Sequence, residues 1–131
     1  MPSLAPLPQA VEFCPCQSGK RYADCCRPFH EGEAAPNAEL LMRSRYSAYA
    51  LGLADYVLDT WHPAYRPDTL NLDKDLQWRR LEILEFTELG ERAIVEFRAH
   101  WRQKMERGIV HERSSFTHEN DRWYYTTGIQ M

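Results

Sequence analysis

The 131-residue chain has no apolar run near the ~20 residues needed to span a bilayer. Its first ten residues lack the basic start and continuous apolar stretch of a secretory leader. Both absences predict a cytoplasmic protein with no membrane contact. Positive charge is not in excess either: 16 Lys and Arg against 19 Asp and Glu give a net charge of -3. A nucleic-acid-binding domain is usually basic over its binding face, so any such role must rest on a local patch. No phosphate-binding glycine loop, Ser-His-Asp pattern or paired-carboxylate signature stands out. The sequence nominates no catalytic residue, and a non-enzymatic protein is the first expectation. Internal repeats and low-complexity segments are also absent.

Cysteine is scarce but concentrated. All four cysteines, Cys14, Cys16, Cys25 and Cys26, fall within thirteen residues as two close pairs. Three disulfide pairings are formally open, but the expected compartment is reducing and favours metal ligation over disulfides or redox-active thiols. Four soft thiolates on either side of a tight turn suit a tetrahedral ion, Zn2+ first, with iron a second fit. Four protein ligands leave no open coordination position, which predicts a structural ion. His30, four residues past Cys26, reads as a linker histidine. A zinc tetrathiolate is formally about -2, and Lys20, Arg21 and Arg27 can balance it.

Residues 1–12 carry three prolines and predict a mobile lead-in, residues 13–35 the cysteine module and its linker, and residues 36–131 the main domain. Within that domain Asn37 is a capping residue ahead of a helix ending near Leu51 at Gly52. A second short helix runs over Asp55–Trp61 and stops at His62-Pro63. From Trp78 the period changes from 3.6 to 2, with a parity change at Leu84 and Phe86 that predicts a bulge or a strand buried on both faces. Further strands are predicted from Ala93 to Trp101, Val110 to His118 and Trp123 to Thr127, with turns at Leu89-Gly90-Glu91, Gln103–Gly108 and Asn120-Asp121. Helices followed by a four-stranded antiparallel meander make an α+β fold.

The spacing Cys-x-Cys-x8-Cys-Cys enclosing Ser18-Gly19-Lys20-x-Tyr22 resembles the SEC-C motif, best known as the zinc-binding tail of the bacterial translocation motor SecA. Gln17 stands where that motif commonly has glycine. The stretches Leu41-Met42-Arg43-Ser44-Arg45-Tyr46-Ser47-Ala48-Tyr49, Thr60-Trp61-His62-Pro63 and His111-Glu112-Arg113-Ser114 resemble the YchJ family of small, uncharacterised bacterial proteins. That resemblance implies an NTF2-like cone, helices packed on a curved antiparallel sheet, behind the zinc knuckle. It also implies that Lys20, Arg21 and Tyr22 present a surface to a protein or ribonucleoprotein partner, as the SecA tail does.

A zinc-binding adaptor is the leading expectation, and the alternative is an enzyme or small-molecule-binding protein: NTF2-like cones often hold a pocket, and the candidates here to bind a small ligand or move a proton are Trp61, His62, His111, Glu112 and Ser114. Glu112 and Ser114 share parity with Val110 and Phe116. A carboxylate facing the core needs a partner, and Arg43, Arg45 and Arg113 are the candidates. Glu96, Arg98 and His100 fall on the opposite face and read as solvated. A homodimer through the sheet is a further expectation.

Overall fold

The computed structural model describes residues 13–131, so the expected lead-in at residues 1–12 lies outside the described residues. A 3-10 turn at Tyr22–Asp24 and a single helical turn, α1 (Arg27–His30), complete the cysteine module. The main helix α2 (Ala38–Leu51) starts where the Asn37 carboxamide accepts the Leu40 N–H at 2.8 Å and stops at Gly52, whose φ of 78° a side chain would disfavour. Helix α3 (Ala54–Asp59) follows at once. It is shorter than expected because Trp61 leaves the helix and bridges to Tyr125.

The sheet comprises β1 (Gln77–Leu89), β2 (Arg92–Gln103), β3 (Glu106–Glu119) and β4 (Arg122–Gln130), paired in sequence order and antiparallel throughout. A register shift between Ile83 and Glu85 explains the parity change: Leu84 is exposed, and Phe86 returns to the side of Val95. The turn expected over Gln103–Gly108 is far tighter. Lys104 takes a left-handed φ of 55°, and pairing resumes at Glu106 opposite Gln103. Further along the hairpin Gly108 stands opposite Trp101, and its missing side chain leaves room for the indole.

Alternation along β2 sends Ala93, Val95, Phe97 and Ala99 toward α2, where they pack with Leu41, Met42, Tyr46, Leu81, Phe116 and Trp123. Fully burying a side chain such as Val95 contributes about 1.5–3 kcal/mol. The same cluster takes in the four cysteines and Phe29. Helix α2 is therefore covered on both flanks, and its buried Ser44 and Ser47 face polar partners and not hydrocarbon.

Candidate functional site

The cysteine centre is assembled by the loop and the helix behind it. Backbone bonds from Cys14 N to Lys20 O and from Gln17 N to Cys14 O fold the loop back on itself. Gln17 and Gly19 both take positive φ, 69° and 89°. Gln17 thus adopts the left-handed conformation that glycine favours, and its side-chain amide reaches the Arg79 carbonyl at 3.4 Å.

All four sulfurs are buried and lie within 4.8 Å of one another. The Cys16–Cys25 and Cys25–Cys26 separations are 3.6 and 4.0 Å. A tetrahedron with metal–sulfur bonds of about 2.3 Å has an edge of roughly 3.8 Å. The donor set therefore fits a four-coordinate ion and is far too open for a disulfide. Among the described residues these four cysteines form the cluster that can hold a metal ion.

Hydroxyls approach the sulfurs. Ser47 on α2 lies 3.4 Å from Cys14 Sγ and donates to Cys26 Sγ at 3.3 Å, and Ser18 lies 3.1 Å from Cys25 Sγ. Arg43 donates to the Cys16 carbonyl at 2.8 Å. Such donors spread the negative charge of bound thiolates. Hydrogen bonds from Cys14 and Cys26 lower the Cys16 pKa below the ordinary thiol value. Burial pushes Cys25 up to about 11. Cys26 is raised by its bonds to Cys14 and Cys16.

His30 is tied elsewhere. The Ser44 carbonyl can only accept, so His30 Nε2 donates to it at 2.8 Å, and Nδ1 accepts a hydrogen bond from the Tyr22 hydroxyl at 2.7 Å. Burial favours neutral His30 and pushes Tyr22 up to about 12, which suits both roles. Tyr22 is therefore an internal tether as well as a loop residue, while Lys20 and Arg21 remain exposed.

The second feature is a partly open cavity of about 230 Å³ between α2 and the inner face of the sheet. Tyr46, Tyr49, Trp61, Trp78 and Tyr125 supply aromatic walls, and Arg45, Glu112 and Ser114 supply polarity. Glu112 Oε2 accepts from Ser114 at 2.6 Å and from Tyr125 at 3.1 Å, while Oε1 accepts from Gln130 at 3.0 Å. A Cβ at residue 128 would collide with that carboxylate, so Gly128 makes room for it. Burial, then the Glu112 charge, raises Tyr125 and keeps it a donor.

None of the three expected arginines forms an ion pair with Glu112. Arg43 pairs with Glu39, and Arg113 pairs with Glu85 and Glu96. Arg45 is buried and donates to Val57 O and Thr60 Oγ1, both at 2.8 Å. Its guanidinium lies 4.5 Å from the Tyr125 ring centre and 5.4 Å from that of Trp61. Burial lowers its pKa, and nearby Tyr49, Tyr125, Tyr56 and Glu112 oppose that effect.

Of the sequence candidates, Trp61, Glu112 and Ser114 line the cavity. His62 and His111 do not: His62 pairs with Glu119 at 3.1 Å, and His111 on the outer face pairs with Glu96 at 2.8 Å. Strand alternation separates His111 from Glu112. Sequence reasoning missed Ser47, Ser18, Tyr49, Tyr125 and Gly128. Gly128 alone carried a signal, since an isolated glycine within a strand marks a close approach.

Residues 37–128 match the family described as YchJ, middle NTF2-like domain, and residues 14–28 match the SEC-C motif. The chain is 44% identical over 119 residues to a UPF0225 protein of Corynebacterium glutamicum, covering 88% of this chain and 94% of that one. To a UPF0225 protein of Chromobacterium violaceum it is 45% identical over 129 residues, covering 92% and 95%. The solution structure of a SEC-C motif containing protein from Rhodopseudomonas palustris is similar at a TM-score of 0.81 and 38% identity, over 90% of this chain and 98% of that one. A crystal structure of such a protein from Psychrobacter arcticus gives a TM-score of 0.77 and 30% identity, over 89% and 81%. Among the described residues no helix is long and apolar enough to cross a membrane.

Proposed function

The chain belongs to the YchJ family, with a SEC-C motif ahead of an NTF2-like domain, and from that premise we propose a small-molecule-binding protein whose pocket is braced by a structural zinc centre. The observation that carries this reading is the open aromatic cavity with a carboxylate held at its edge by three donors. A filled cone would have no room for a ligand. Instead the residues leave a mostly apolar space with a few polar groups at its edge, as binding pockets do. The ligand it suits is flat and mostly apolar, stacked between aromatic side chains, with one hydrogen-bond donor directed at Glu112. Tyr46 also lines the cavity, and its buried hydroxyl has no partner among the described residues.

Both Glu112 oxygens are already engaged, which suits holding a ligand better than moving a proton. Zinc is the ion proposed for the cysteine centre because its tetrahedral thiolate geometry matches the sulfur spacing, with iron as the alternative for metal analysis to separate. When bound, the ion cross-links the loop that packs against α2.

The test is ligand-observed NMR with flat aromatic amides and amines as probes, comparing the intact protein with a Val110→Phe variant that plugs the cavity. Binding to the intact protein, lost in the plugged one, is expected. Absence of binding, or binding insensitive to the plug, overturns the reading. A second reading, engagement of a protein or ribonucleoprotein partner by the cysteine loop, is supported by the exposure of Lys20 and Arg21 on that loop. It predicts capture of a defined partner by the intact protein and none by a Cys25→Ser, Cys26→Ser variant.

A further inference from the structure

The outer face of the sheet divides into two halves by charge. In its centre every carboxylate has a partner: Glu82 meets Arg80 and His100, Glu96 meets His111 and Arg113, and Glu85 shares Arg113 with Glu96. Toward the β2–β3 hairpin the pattern breaks. Arg102 and Arg107 sit directly opposite each other in the β-ladder, and among the described residues neither forms an ion pair, nor do Arg79 and Arg98. Like charges directly opposed across two strands are destabilising. The nearest acid along the hairpin, Glu106, pairs with Gln103 in the ladder and forms no ion pair with either arginine.

These arginines border an open groove of about 540 Å³ lined by Arg79, Arg80, His100, Arg102 and Arg107, with Trp101, Gly108 and Ile109 completing it. The protein as a whole is acidic, with a net charge of -3. The groove is thus the local basic patch that composition alone required of any polyanion-binding surface. We propose that it binds the phosphate backbone of single-stranded RNA.

The chemistry follows from the side chains and their spacing. Guanidinium forks match phosphate oxygens two at a time. Neighbouring strands lie about 4.7–4.9 Å apart. The guanidiniums that form no ion pair among the described residues, Arg79 on β1, Arg102 on β2 and Arg107 on β3, are therefore strung across the sheet instead of converging on one point. That arrangement suits successive phosphates of a polymer more than a single phosphate group. A flexible single strand can follow the twisted end of a sheet, whereas a duplex is stiff over many times this length.

The probe is a fluorescein-labelled single-stranded oligouridylate, followed by anisotropy against the intact, metal-loaded protein between about 50 and 200 mM salt. Binding should weaken as salt rises. In an Arg102→Gln, Arg107→Gln variant the log–log salt slope should shrink by about 1.4, two contacts at ~0.7 each, with affinity at low salt reduced about tenfold. Both positions border the open groove without an ion pair and oppose like charges, so the variant should be at least as thermally stable as the parent. A control variant, Arg92→Gln with Arg122→Gln, removes equal charge at the opposite end of the sheet and should leave binding unchanged. The proposal is overturned if the intact protein ignores the RNA at low salt, or if both double variants bind like the parent. Equal weakening by the control, or binding to phosphatidylglycerol vesicles with none to RNA, overturns it as well.

Discussion

Replacing Gly128 by alanine should destabilise the protein by an amount that depends on a side chain sixteen positions away in sequence. The added methyl would occupy the place of the Glu112 carboxylate. A free glutamate would swing aside at little cost. This one is held by Ser114 at 2.6 Å, Tyr125 at 3.1 Å and Gln130 at 3.0 Å. Displacing it forfeits at least the two bonds to Oε2, at about 1.5 kcal/mol each for a charged acceptor that is only half buried. Gly-to-Ala in a strand ordinarily returns about 0.5–1 kcal/mol, so the net loss is roughly 2 kcal/mol. For a chain of this size that lowers Tm by about 8 °C. In a Glu112→Ala background the obstruction is gone, and the same Gly128→Ala change should stabilise by about 0.5 kcal/mol. Urea unfolding of the four proteins in zinc-replete buffer measures the cycle. A loss of equal size in both backgrounds would refute the idea that the carboxylate occupies that space.

Ser47→Ala removes a hydroxyl close to two thiolates and should weaken metal binding about tenfold or more while leaving the helix formed, as competition with a chromophoric chelator would show. Chelating the metal, or a Cys25→Ser, Cys26→Ser change, should open residues 13–30 to protease while the sheet persists, because that segment is too short to bury a core of its own. Burial holds His30 below its ordinary value of 6.5, so the unfolded chain takes up its proton more readily. The stability from neutral His30 is therefore complete above about pH 6.5 and declines as pH falls below it. A His30→Gln variant should show a flatter stability profile between about pH 7 and 5.5 than the parent. Arg45→Ala should cost about 3 kcal/mol through two lost charged hydrogen bonds and shift the emission of Trp61, whose ring Arg45 faces. Unchanged emission would place the guanidinium elsewhere.

The local signals were strong wherever one residue type decides the backbone. Asn37 and Gly52 bound the main helix as their chemistry requires, and strict alternation from Ala93 to Ala99 gave both the second strand and its buried face. The parity change at Leu84 pointed to a bulge or a strand buried on both faces, and the register shift there is the bulge. Less legible was anything set by two distant segments meeting. His111 and Glu112 are adjacent in sequence yet open onto opposite faces, and the arginine that reaches the pocket is held by a carbonyl, a hydroxyl and two rings in place of the expected carboxylate.

By itself the sequence determined which cysteines can hold a metal ion, since four thiols in thirteen residues are gathered by local chain geometry alone, and it determined the α+β order of elements through hydrophobic period. Tertiary structure decided what surrounds those cysteines and what the sheet encloses. Ser47 meets the sulfurs, Gly128 yields to Glu112, and Arg102 faces Arg107 only because the helix docks and the strands pair in one register. Such contacts are fixed by packing between residues far apart in the chain, and no periodicity within either segment encodes them.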